Sequence, residues 1–552
     1  MFLTRRSGIP LYAVLILASL ALLWPGVWEA TGLSGKDEYF LGLRTPLEMM
    51  ARQDWLVPFL DGVPRIRKPP LLYWIGAASY ETFGVSLTSA RSITVCFAAL
   101  LVIATAGIAR RLMPRPELAW LPAAILLACL GLHTEGRRFM LDIPVVALAT
   151  TAFWVWLIWL DKRQTRWLPL LTLLLAAAFM VKGPVAFLFF LGGVVALLSQ
   201  QNQPGLQSYR ITLSETREHL PALLLHLLGL IALCAPWFWV VRQHYPDAVQ
   251  AVVADELESR QFLTLTPGIV FGLLNISLPW FFVFWASLWR QRHLTGLPRL
   301  LILWFAIVFL PFLFLKSFDR YLLGALVPLA LLTAHALETS SKRPVWAFRS
   351  GLAVALLIGG GLALFSFWFG LPGSLWLLPT ALYLLWAWGF PRRRAVLHLL
   401  AAPALYWLSL LWGVFPGLGI GAIPPALVEA AKTQAVAFYD GPQPALLPIL
   451  SGQVHRHYPR LDDASVEHLA QNHTPVYLEE TALPALTRDA QAAGHHLSEA
   501  ACYQALVTHG SGLRFARPGS QWADWQTAFQ THDLTPLKTT VCAVTLRPGA
   551  KP

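Results

Sequence analysis

Apolar runs of about 17–25 residues, the length that carries a helix across a bilayer, recur through the first three quarters of this chain, separated by short arginine- and lysine-bearing loops. Thirteen can be counted, near 8–30, 89–109, 117–133, 143–160, 167–181, 184–200, 219–241, 267–289, 296–315, 321–338, 346–370, 373–390 and 395–416. Composition agrees: 56% of the 552 residues are hydrophobic and 13% charged, against about 25% charged in soluble domains. A soluble enzyme, a disordered scaffold and a disulfide-stapled secreted domain are excluded. The pattern predicts a polytopic α-helical membrane protein.

The net charge of +12 is not a nucleic-acid signature, because of where it lies. Of the 42 basic and 30 acidic residues, 9 and 11 fall in 417–552, so that segment is net −2 and the rest +14. Basic residues cluster at alternate loops, from Arg5 and Arg6 through Arg110, Arg111 and Arg115, then Lys162 and Arg163, to Lys342, Arg343 and Arg392. If the runs alternate, these loops share one side, which the positive-inside rule makes cytoplasmic. The first run has no small-residue cleavage site after it and reads as an uncleaved helix.

An odd number of spans leaves residues 417–552 outside, as a separate domain after the membrane domain 1–416. Its apolar runs shorten to strand length (Ala445–Leu450, Pro475–Leu478, Thr540–Leu546) and alternate with helix-like stretches (Asp463–Gln471, Pro484–Ala493), which predicts a small α/β domain. Cys502 and Cys542 both fall there, where an oxidising compartment permits a bridge. Its eight histidines, from His455 to His532, match no zinc-binding spacing.

The outer loops hold the unusual residues. The first, about 31–88, contains Asp37-Glu38, the amphipathic Leu47-Glu48-Met49-Met50, Asp54-Trp55, and Arg65-Ile66-Arg67-Lys68-Pro69-Pro70 leading to Tyr73-Trp74. The second holds Glu135, Arg137, Arg138 and Leu141-Asp142-Ile143-Pro144; later ends carry Lys182-Gly183-Pro184, Asp255, Glu256, Arg260, Lys316 and Arg320-Tyr321. Carboxylates at the edge of the hydrocarbon are costly unless paired or wetted, so each is a functional candidate. For Asp54, Asp61, Glu81 and Asp247 solvated loop charge is the better reading; Asp142 can equally be the N-cap of its helix. Cations on the outer side run against the topology rule and call for anionic partners: the carboxylates nearby, or a lipid phosphate.

Asp37-Glu38, Asp54-Trp55, Lys68-Pro69-Pro70, Arg91, Leu141-Asp142-Ile143-Pro144 and Lys182-Gly183-Pro184, in that order at outer membrane ends, resemble the bacterial protein O-mannosyltransferase superfamily, especially the lipid A aminoarabinose transferases. Pro236-Trp237-Phe238 and Arg320-Tyr321-Leu322-Leu323 add weaker support. The resemblance implies a GT-C fold with interfacial helices in the first outer loop and a periplasmic C-terminal domain, in the bacterial inner membrane. It implies a polyprenyl (undecaprenyl) phosphate-linked sugar as donor, lipid A or another lipopolysaccharide or envelope acceptor, contact with membrane lipids and no nucleic acid. Asp37 matches the main catalytic carboxylate, with Glu38 and Asp142 as further catalytic candidates. Lys68, Arg67, Arg44, Arg138, Lys182, Arg260 and Arg320 are the candidates for the donor phosphate, and Tyr321, Tyr73 and Trp74 for the substrate.

The chain also departs from that family. Tyr39-Phe40-Leu41 stands where the aminoarabinose transferases carry an arginine, with Arg44 the nearest substitute. Arg67 replaces a glutamate and Leu257 a histidine, both associated there with a bound metal. The sequence therefore assigns no metal ligand, since that family's metal-site residues are absent, and leaves a divalent metal as the one open cofactor along with the sugar and the acceptor. Protein O-glycosylation with the same donor class is the nearest alternative. A lipid flippase would need inverted repeats and ionisable groups near the midplane, neither of which the sequence shows.

Overall fold

A computed structural model of the chain describes residues 9–30, 37–259, 264–339, 345–389, 391–441, 443–508 and 515–548. Among these, seven helices are long and apolar enough to cross a membrane, including Leu87–Leu112, Asp142–Lys162 and Asp319–Thr339. Ile269–Ser277 and Phe281–Gln291 meet at 108° and make an eighth if counted as one span. Pro279 stands at that break, where a residue without an N–H cannot continue a helix. Four shorter apolar helices, Pro10–Leu23, Pro116–Leu127, Val185–Gln200 and Leu297–Leu313, fall on other expected runs. The thirteen apolar runs thus correspond to seven or eight full-length helices and several short ones.

Asp142–Lys162 is the central helix: 89% of its apolar window is buried inside the protein, against 17% for Arg217–His244 on the periphery. It packs on Leu87–Leu112, Leu168–Lys182 and Val185–Gln200. Its first residue is therefore held in place from several sides, at the end where Asp37, Lys68 and Lys182 also gather.

Residues 38–83 form a continuous series of short elements. Glu38–Leu43 forms a wide helical turn that runs into the helix Arg44–Arg52. A hairpin then pairs Phe59 with Pro64 and Leu60 with Val63. Its two-residue turn, Asp61-Gly62, has φ of 53° and 76°, the primed geometry that short hairpins require. Pro69-Pro70 ends the extended stretch and caps the helix Leu71–Phe83.

Residues 425–548 form a mixed α/β unit. Strands Arg456–Tyr458, Ala437–Tyr439, Val476–Glu479, Thr539–Val544 and Ala501–Ala505 lie side by side in that order. The first three are parallel and the last two antiparallel to their neighbours. Cys502 and Cys542 face each other across the last pair and are disulfide-bonded. The expected helix Asp463–Gln471 is present, but Ala445–Leu450 is not a strand: Leu447–Ser451 is helical, with Pro448 in its first turn, where a missing N–H costs nothing. The unit rests on the membrane helices through Trp368, which stacks on His532 at 4.3 Å and donates from Nε1 to the Phe529 carbonyl.

Candidate active site

Glu38 sets the geometry. Its two carboxylate oxygens accept from Arg91 Nε and Nη2, each at 2.9 Å, and both side chains are fully buried. Oε1 also accepts the Phe139 backbone N–H at 2.7 Å, while Arg91 Nη1 donates to the Glu29 carbonyl at 2.7 Å. Glu38 thereby fastens the first outer loop to the second. Gly42 lets them approach: a Cβ there would meet the Phe139 carbonyl oxygen at 2.5 Å. Burial pushes the next residue, Tyr39, up to about 12, so it stays a neutral donor to the Ala30 carbonyl.

Asp37, one residue earlier, faces a cavity of about 540 Å³. Arg320 Nη2 lies 2.9 Å from Asp37 Oδ2, and Arg320 Nε lies 3.4 Å from Asp142 Oδ2. Lys182 Nζ closes on Asp142 Oδ1 and sits 3.8 Å above the Tyr321 ring. Asp142 does not cap its helix, since Leu141 takes the N-cap position; its carboxylate turns to the two cations instead. Gly183, at φ 71°, makes the turn that ends the helix at Lys182. Asp319 steadies the Arg320 turn by accepting the Arg320 N–H at 2.9 Å and the Asn275 amide at 3.0 Å.

The opposite rim is cationic. Lys68 Nζ is 2.8 Å from Glu256 Oε1, and Arg67 pairs with Asp255. Arg65 Nε donates to the Tyr73 hydroxyl at 3.2 Å. Six basic side chains line the cavity (Arg65, Arg67, Lys68, Lys182, Lys316, Arg320) against three carboxylates (Asp37, Asp142, Glu256), a net of +3. Such a cavity attracts an anion.

Eight of the sequence-derived candidates meet there: Asp37, Asp142, Arg67, Lys68, Lys182, Arg320, Tyr321 and Tyr73. Others do not. Glu38 is bonded to Arg91 and Phe139 and does not line the cavity. Arg44, only 3% exposed, is held by Glu48 and Asp61 under the hairpin. Burial raises the Glu48 carboxyl above its ordinary value, with Arg44 and the Asp61 N–H drawing it back. Arg138 turns to Glu135 at 2.8 Å, and Trp74 donates its indole N–H to the Trp55 carbonyl. Arg260 lies outside the described residues, as do Arg5, Arg6, Lys342 and Arg343. Sequence reasoning put Arg65, Lys316 and Glu256 on the outer side without assigning them to the site; their signal was the cation on the disfavoured side, with an acid for it to pair with.

The donor set does not suit a metal ion. The inner carboxylates already bind Arg320 and Lys182, and the guanidinium of Arg67 holds Asp255. Among the described residues no group of three or more His, Cys, Asp or Glu side chains is arranged to hold one.

Residues 43–250 match the dolichyl-phosphate-mannose-protein mannosyltransferase family. Over 97% of the chain, the structure superposes on 98% of ArnT from Cupriavidus metallidurans bound to undecaprenyl phosphate, with a TM-score of 0.67 and 15% identity. The chain has the fold of ArnT. In sequence it is 27% identical over 341 residues to the undecaprenyl phosphate-alpha-4-amino-4-deoxy-L-arabinose arabinosyl transferase of Edwardsiella ictaluri, covering 57% of this chain and 58% of that one. It is 31% identical over 323 residues to arabinosyl transferase 1 of the same description from Sodalis glossinidius, covering 53% of each. The chain thus spans little more than half the length of these curated relatives.

Proposed function

We propose that the protein is an integral-membrane glycosyltransferase that moves a sugar from a polyprenyl-phosphate donor to lipid A or another envelope acceptor. One observation carries this: two carboxylates tied through Arg320 face a cation-lined cavity where the outer membrane loops gather. The relatives named for undecaprenyl-phosphate chemistry support the donor class. The basic-loop pattern supports a bacterial inner membrane with this cavity and residues 417–552 on the periplasmic side.

The chemistry is a displacement at the anomeric carbon. An acceptor oxygen forms the new C–O bond as the bond to the polyprenyl phosphate breaks, and the electron pair leaves with the phosphate. Asp37 is the better placed base, with its side chain 27% exposed against 4% for Asp142; it takes the proton of an acceptor hydroxyl or orients an acceptor that is already anionic. Asp142 holds Lys182 and Arg320 in position. Lys68 and Arg67 receive the leaving phosphate, whose growing charge replaces that of Glu256 and Asp255. An in-line attack inverts the anomeric centre.

The test is mass spectrometry of lipid A and core lipopolysaccharide from cells producing wild type or Asp37→Asn. A sugar-sized mass seen only with wild type supports both enzyme class and acceptor, and its size separates a pentosamine from a hexose. The same mass found on a protein, with lipopolysaccharide unmodified, would replace lipid A by protein O-glycosylation.

A further inference from the structure

The helix that opens with Asp142 closes at Asp161 and Lys162, about 30 Å away at 1.5 Å per residue. A second cavity, of about 590 Å³, opens at that far end. It is separate from the site above and independent of the reaction proposed there.

Three helices and one loop build it. Arg111 Nη1 is 2.8 Å from Asp161 Oδ2, and the Arg111 carbonyl accepts from the Tyr209 hydroxyl at 2.9 Å. These bonds fix the end of Leu87–Leu112. Arg110, next along and half-buried, faces the cavity and the Tyr12 ring at 5.8 Å; among the described residues no carboxylate pairs with it. Deeper in, Tyr12 and Trp154 form an aromatic wall with centroids 5.7 Å apart. Gly107 seats the indole, since a Cβ there would come within 2.2 Å of it. Trp154 is seven residues before Asp161, so the cavity runs about 10 Å inward from its mouth.

We propose that this cavity binds the phosphate headgroup of an anionic glycerophospholipid from the leaflet opposite the candidate active site. A guanidinium without a carboxylate partner presents a fork of donors that fits phosphate oxygens. A basic pocket between membrane helices is where such headgroups are recognised. The depth chooses the source: a free phosphate needs only the mouth, whereas an amphiphile also fills the aromatic wall, at the level where such rings sit in membranes.

Native mass spectrometry of the purified full chain tests this, with phosphatidylglycerol, phosphatidylcholine or inorganic phosphate added. Wild type should retain phosphatidylglycerol in clear excess over phosphatidylcholine. Arg110→Gln should lower that retention at least about tenfold, the size expected for losing a charge-assisted hydrogen bond, and Arg110→Lys should fall between. Equal retention of the two lipids by wild type would overturn the proposal without any variant, so misfolding of Arg110→Gln cannot shelter it. Unchanged phosphatidylglycerol retention in a folded Arg110→Gln protein would also overturn it. Displacement of the lipid by equimolar inorganic phosphate would reassign the site to the free anion.

Discussion

Arg320 Nη2 lies 2.9 Å from Asp37 Oδ2, although the two residues are 283 positions apart in the chain. The same guanidinium reaches Asp142 through Nε. Two carboxylates near the hydrocarbon edge repel each other unless a cation stands between them. Arg320 is that cation, and its fork fixes where both acids point.

Asp37→Asn keeps the size and removes the charge. Transfer should fall by about 10²- to 10⁴-fold, the usual contribution of a positioned base, while donor binding and melting temperature stay close to wild type. Asp142→Asn should differ, because that side chain also anchors Lys182: activity should fall together with thermal stability. Turnover with a polyprenyl-phosphate sugar, measured beside melting curves, separates the two outcomes. Full activity of Asp37→Asn would remove it from the mechanism.

Glu38 gives the opposite profile. It is 1% exposed and bonded to Arg91, so Glu38→Gln leaves a buried guanidinium without its counter-charge, a loss of about 3–5 kcal/mol where one partner of such a pair is removed. The expected result is a lower melting temperature and a low yield of folded protein. A companion change of Arg91 to Met should recover part of the stability, because it removes the buried charge that Glu38→Gln leaves uncompensated. If Glu38→Gln were as stable as wild type but inactive, Glu38 would return to the catalytic group.

Arg320→Lys keeps the charge but not the fork. One ammonium cannot span Asp37 and Asp142 in the present geometry, so the ion pair to one of them is lost. Transfer should drop about tenfold to a hundredfold, with the fall in kcat rather than in donor KM. A change confined to donor KM would place Arg320 on the donor phosphate instead.

What the sequence revealed and what it hid follow from the range of the forces involved. Apolar runs and the ordered Asp-Glu, Lys-Pro-Pro and Lys-Gly-Pro motifs are local, and they brought Asp37, Lys68, Asp142 and Lys182 to one membrane face. Partner choice is not local. Glu38 and Asp37 are adjacent and chemically alike, yet only tertiary packing decides that one meets Arg91 and the other Arg320. Arg44 looked available for phosphate until the Asp61-Gly62 hairpin brought a carboxylate back onto it. The apolar pattern of Ala445–Leu450 fits a strand, yet Leu447–Ser451 is helical, with Pro448 in its first turn.

Where the C-terminal unit meets Arg44, the protein carries a pH dependence. His455, in the C-terminal unit, is 2% exposed, with Nε2 3.0 Å from the Ser451 hydroxyl and Nδ1 without a partner. Burial first, and the positive charge of Arg44 second, lower it to about 4. The unfolded chain, with its histidine near 6.5, therefore binds more protons between these two values, and stability rises with pH across that window. His455 contributes fully above about pH 6.5, and its contribution declines as the pH falls toward about 4, a change of about 3 kcal/mol in total. His457 is lowered by burial as well and adds the same sign, while the raised Glu48 acts in the opposite sense above the ordinary carboxylate range. Comparing melting temperatures of wild type and His455→Gln from pH 7.5 down to 4.5 isolates the one group. The wild type should lose stability faster on acidification, so that the two curves converge; parallel curves would mean that His455 titrates alike in the folded and unfolded chain.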